Sequence, residues 1–121
     1  MLKDDFFSII SIEKEDNSYK IMLKLHTEHK IFEGHFPGQP LVPGACMLQM
    51  VKEVTATIMD KNIRLTKADN LKFLKPIDPH KLSVLLMNLS YTISTDGIIH
   101  VSANLSSGPS IYFKCIGSFI G

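Results

Sequence analysis

Glu33-Gly34-His35-Phe36-Pro37-Gly38-Gln39-Pro40-Leu41-Val42-Pro43-Gly44 is the stretch on which the reading of this chain turns. Three prolines and three glycines in twelve residues exclude regular structure and predict a loop of defined shape. A loop of this composition is costly unless it has a job. Directly after it, Ala45 to Met59 contains neither Pro nor Gly, and Met47, Met50, Val51, Val54 and Ile58 recur at helical spacing. That pattern predicts one long helix with a broad apolar face.

Outward from this pair the pattern changes to period two. Phe6 to Glu13 and Tyr19 to Leu25 alternate apolar and polar residues around the turn-forming Glu15-Asp16-Asn17, which predicts a β-hairpin. Strand-like segments follow near Ala68 to Phe73, Leu82 to Ser94, Ile98 to Leu105 and Ile111 to Phe119. Turns at Thr95-Asp96-Gly97 and Ser107-Gly108-Pro109 make the last three an antiparallel meander. The predicted order is β-β-loop-helix-β-β-β-β. A single apolar helix needs cover on most of its circumference, and a curved antiparallel sheet supplies it, so the expected class is α+β.

With 121 residues, 45% hydrophobic and 21% charged, the composition is that of one globular domain spanning 1–121. A formal net charge of +1 makes no electrostatic case for nucleic acid or an anionic membrane, and no apolar run is long enough to span a bilayer. Lys61, Arg64, Lys67, Lys72 and Lys75 lie close together but are interspersed with Asp60, Asp69 and Asp78, a mixed-charge solvated face. The start, Met1-Leu2-Lys3-Asp4-Asp5, carries acid where a secretory leader needs base, and the expected location is cytoplasmic. Cys46 and Cys115 form neither a disulfide framework nor a metal spacing, and buried, reduced packing is expected of both.

Residues Gly34 to Gly44, GHFPGQPLVPG, resemble the signature loop of the β-hydroxyacyl-(acyl carrier protein) dehydratases, including its run into a helix. A second segment, Leu71-Lys72-Phe73-Leu74-Lys75-Pro76-Ile77, resembles the lysine-phenylalanine-x-x-proline strand of that family. The resemblance covers roughly residues 6 to 119. It implies the hot-dog fold, a curved sheet around a central helix, with two subunits pairing to build sites at their interface. It also implies dehydration of 3-hydroxyacyl thioesters carried on acyl carrier protein, in fatty acid or related acyl or polyene synthesis, without a cofactor.

Dehydration requires removal of an α-proton, stabilisation of an enolate-like oxygen and protonation of the departing hydroxyl. By resemblance His35 is the catalytic histidine, and imidazole suits proton transfer near neutral pH. Gly44 is placed by resemblance where a backbone amide polarises the thioester carbonyl, with a helix N-terminus behind it. Leu41 falls where the family uses a backbone carbonyl to orient the histidine. Phe36 and Phe73 are candidate acyl-lining residues; like Phe32 and the methionines, they also fit plain core.

The departure is Gln49, which stands where the family carries a glutamate or aspartate contributed across the dimer interface. An amide is no general acid. Glu53, one turn on, stands where the family usually has glutamine, so amide and carboxyl are exchanged on one helical face. The carboxyl is displaced by about 6 Å along the axis at 1.5 Å rise per residue. Glu53 is thus a candidate acid, with an ordinary surface or interface glutamate beside Lys52 as the alternative.

Three functional readings follow: a dehydratase; a weakly active or non-catalytic acyl-binding subunit, as a homo-oligomer or a heteromer with a related hot-dog subunit; or an acyl thioesterase, which the fold also supports. His26, His29 and His35 are spaced like metal ligands on paper but complete no standard set, so no metal is expected. Cys46, near a helix N-terminus but among apolar neighbours, is not expected to be a nucleophile.

Overall fold

The computed structural model describes residues 1–34 and 40–121. Six antiparallel strands form one sheet in the order β1-β2-β4-β5-β6-β3. In chain order the elements are β1 (Phe7–Glu15), β2 (Ser18–Leu25), α1 (Ile31–Gly34), α2 (Gly44–Met59), β3 (Arg64–Phe73), β4 (Val84–Ile93), β5 (Ile99–Ser107) and β6 (Ser110–Ile120).

Period-two alternation decides which face is buried. Ile21, Leu23 and Leu25 of β2, Leu85, Met87 and Leu89 of β4, Val101 and Leu105 of β5, and Phe113 and Phe119 of β6 are all buried. They pack in one cluster with Cys46, Met47, Met50, Val51 and Val54 of α2. The opposite helix face carries the half-buried Gln49, Lys52 and Ala56. Helix α2 ends at Asp60, whose left-handed backbone (φ 53°) lets its N–H reach back to the last turn.

Two expectations need correction. The loop reading excluded regular structure from Glu33 onward, yet Ile31–Gly34 form a helical turn. The first proline comes only at Pro37, and the turn is held by Phe32, which is buried against Phe6 with ring centroids 5.2 Å apart. Strand β3 starts at Arg64, four residues before the alternation suggests. It is an edge strand, exposed along nearly its whole length, so its first half needs no apolar face and shows none. Register shifts at Leu65/Lys67 and Ala68/Asn70 bend it further.

Candidate functional site

Helix α2 opens directly from the loop. Pro43 is its N-cap, with extended backbone and no side-chain cap bond, and the first turn holds no acidic residue. The amides of Cys46 and Met47 both donate to the Pro43 carbonyl, at 3.0 and 3.2 Å. Those of Gly44 and Ala45 precede the first intrahelical bond and have no backbone acceptor among the described residues. The positive end of the helix dipole therefore stands behind two available donors.

Beside this helix start, Gly44 lines an apolar cleft of about 490 Å³ together with Leu41, Val42, Pro43, Met47 and Phe73 to Pro76. Its walls come from two chain segments: the Val42 amide donates to the Ile77 carbonyl at 2.9 Å and fastens one to the other, and the Leu74 amide donates to the Tyr112 carbonyl at 2.9 Å and ties the second to β6. The Phe73 ring stacks on buried Phe113 at 5.1 Å yet stays 53% exposed, an open apolar surface beside the helix end. A Cβ on residue 44 would lie 2.8 Å from Phe73 Cε1, so the ring holds this position only against a glycine. Leu41 and Gly44 thus meet Phe73, distant from both in sequence, in one place. His35 and Phe36 lie outside the described residues.

Gln49 and Glu53 lie elsewhere, in a groove of about 600 Å³ that shares no lining residue with the first cleft. Glu53 is not a surface glutamate: it is 4% exposed. Its Oε1 accepts the Lys3 amide at 2.7 Å, and its Oε2 accepts the Leu2 amide at 2.9 Å and Gln49 Nε2 at 2.8 Å. Burial works against the charge, but these donors outweigh it and hold the carboxyl below its ordinary range. A carboxylate so satisfied is a poor proton donor near neutral pH.

The N-terminal turn that Glu53 holds was not foreseen. Phe6 and Phe7 are fully buried, and the Leu2 carbonyl accepts the amides of Asp5 and Phe6. The apolar pair Phe6-Phe7 was the available signal. Two of the three spaced histidines serve the same turn. His26 Nδ1 lies 2.7 Å from the Asp5 carbonyl and must donate to it, and Nε2 is hydrogen-bonded with Ser8 Oγ at 2.6 Å. His29 Nε2 pairs with Asp5 Oδ2 at 3.0 Å, its ring edge-on to Phe6. Among the described residues no three potential ligands cluster as a metal site. Both cysteines are buried and free, and burial pushes the Cys46 thiol up and that of Cys115 up to about 11.

The sequence matches the family model of the ApeI-like dehydratases over residues 11–103. The chain belongs to the ApeI-like dehydratase family. A 3-hydroxyacyl-[acyl-carrier-protein] dehydratase, FabZ, of Wolbachia sp. subsp. Drosophila simulans (strain wRi) is 30% identical over 79 residues, 60% of this chain and 55% of that protein. FabZ of Hydrogenobaculum sp. (strain Y04AAS1) is 35% identical over 57 residues, 40% of this chain and 38% of that one. The ApeI-like chain thus spans about half the length, or less, of these curated relatives. Among solved structures, the dehydratase heterocomplex ApeI:P from Xenorhabdus doucetiae superimposes with a TM-score of 0.73 at 21% identity, covering 93% of this chain and 96% of that one. Cj0977 of Campylobacter jejuni gives 0.69 at 18% identity, over 97% and 84%. The six-stranded sheet with its one long helix is the hot-dog fold of these neighbours. No helix among the described residues is long and apolar enough to cross a membrane.

Proposed function

We propose that this chain binds 3-hydroxyacyl thioesters carried on acyl carrier protein and dehydrates them to enoyl thioesters. The observation that carries the reading is the cleft in which Leu41, Gly44 and Phe73 meet beneath the uncapped start of α2. An acyl chain fits the apolar wall, and the thioester oxygen, where negative charge develops during α-proton removal, fits the amide of Gly44. His35 is the base by resemblance, and the dehydratase family supports the reaction class. Sites of this kind need a second hot-dog subunit, a copy of this chain or a related one, since Gln49 opens into a groove separate from the thioester cleft.

Enoyl absorbance measured on a series of 3-hydroxyacyl-carrier-protein substrates tests this directly. Turnover that disappears in His35→Ala is expected. No enoyl product from any chain length, together with unchanged ligand binding in His35→Ala, would overturn it.

A second reading has its own observation. Of the two carboxylates that line the groove, Glu53 is consumed by three hydrogen bonds and Asp60 sits at the C-terminal end of α2, while Gln49 cannot give up a proton. A positioned general acid is worth about 10²–10⁴-fold. Without one, the chain acts as a slow enzyme or as the acyl-binding partner of an active hot-dog subunit. Gln49→Glu separates the cases: a rise in rate of about 10²-fold or more marks a weakened enzyme, and no change marks a binding subunit. Release of free thiol, followed in the same assay, detects the thioesterase alternative.

A further inference from the structure

The pair Gln49 and Glu53 carries more information than the missing acid. Ionised Glu53 can only accept hydrogen bonds, and its Oε2 takes the Gln49 side chain at 2.8 Å. The group Gln49 turns toward Glu53 is therefore its NH₂, whatever the neighbouring solvent does. The other two donors to this carboxylate are backbone amides of Leu2 and Lys3, at 2.9 and 2.7 Å, so Glu53 is itself held in place. A side chain only 4% exposed with three donors has little freedom to rotate. The carbonyl oxygen of Gln49 is left facing away from Glu53, on a half-buried residue that lines the groove with Lys52, Ala56 and Thr57.

We propose that Glu53 is a positioning residue which locks the Gln49 amide so that its carbonyl oxygen, rather than the N–H that Glu53 holds, is presented in the groove. Gln49 then selects ligands that bring a hydroxyl. Resting on the thioester reading above, the ligand is the 3-hydroxyacyl thioester held in the cleft of the paired subunit, and the selected group is its 3-hydroxyl. An acyl chain without that hydroxyl leaves the Gln49 oxygen unpaired, which is how a buried polar group rejects an analogue.

Two measurements test this on the intact protein. The first needs no ligand: NMR exchange of the Gln49 side-chain NH₂, assigned by its loss in Gln49→Leu. One proton exchanging about tenfold or more slower than in a free glutamine side chain is expected, and both exchanging at the free rate overturns the lock. The second compares binding of a non-reactive 3-hydroxyoctanoyl pantetheine amide with its octanoyl counterpart lacking the hydroxyl. The wild type is expected to prefer the hydroxylated probe by about tenfold. Glu53→Gln, which frees the amide to flip, and Gln49→Leu are expected to bring that ratio close to one. A purely structural role for Glu53 would weaken both probes alike and leave the ratio standing, which overturns the proposal. Equal binding of the two probes by the wild type overturns it as well. Binding of neither probe overturns the thioester reading and the hydroxyl selection with it, while the exchange rate still decides the lock.

Discussion

Replacing Gly44 by alanine should separate function from stability in this protein. The new Cβ would fall 2.8 Å from Cε1 and 2.9 Å from Cζ of Phe73, well inside van der Waals contact. The ring must retreat, and it can, because Phe73 is 53% exposed and held chiefly by its 5.1 Å stack on Phe113. Loosening that stack costs about 0.5–1.5 kcal/mol. Against this, alanine favours the start of α2 over glycine by up to about 1 kcal/mol. The two nearly cancel, and urea unfolding should show a net change within about 1 kcal/mol. The cleft fares differently. A methyl group fills the space beside the helix amides, and the displaced ring removes an apolar wall. Steric changes of one methylene are worth about 1–3 kcal/mol in such sites, so binding of the 3-hydroxyoctanoyl pantetheine amide should weaken by roughly 10–200-fold in calorimetry. In a Phe73→Ala background the clash has no partner, and Gly44→Ala should cost less binding than it does alone. Unchanged affinity in Gly44→Ala, or a loss of stability above about 3 kcal/mol, would refute the reasoning.

Glu53→Gln should destabilise the fold by about 2 kcal/mol at neutral pH, because a charged acceptor of three hydrogen bonds becomes a neutral amide. Its folded carboxyl is held below the ordinary value, so this stability is fully present above the unfolded pKa of about 4.3 and is lost as pH falls through the folded one. The wild-type advantage in urea midpoint should therefore shrink steadily in acid below about pH 4. A gap that persists unchanged there counts against the carboxylate's role. Cys46 and Cys115 should resist maleimide in the folded protein and react together only on unfolding, since burial raises both thiols, that of Cys115 to about 11. Stoichiometric labelling of either under native conditions would contradict the packing.

How much was legible beforehand depended on whether the information was local. The helix over Ala45 to Met59 and the three strands of the C-terminal meander announce themselves by period, because one face of each must be apolar to reach the core. Strand β3 announced only its second half, because an edge strand is defined by the hydrogen bonds it makes to β6 and not by any apolar face of its own. The turn Ile31–Gly34 was hidden by the Pro/Gly loop it leads into.

The candidate site divides in the same way. Gly44, Leu41 and Phe73 were selected by motif, and spacing along one helix placed Gln49 and Glu53 on one face. Sequence by itself determined which residue types stand in this ApeI-like chain, including the amide at Gln49 and the carboxyl at Glu53, one turn apart. Only the tertiary structure decided how that pair is held. Leu2 and Lys3 meet Glu53 some fifty residues away because buried Phe6 and Phe7 bring the N-terminal turn against α2. Two backbone amides then favour the ionised carboxylate, which orients its neighbour. Such a contact has no period and no motif, since its donors belong to the backbone, which every residue shares.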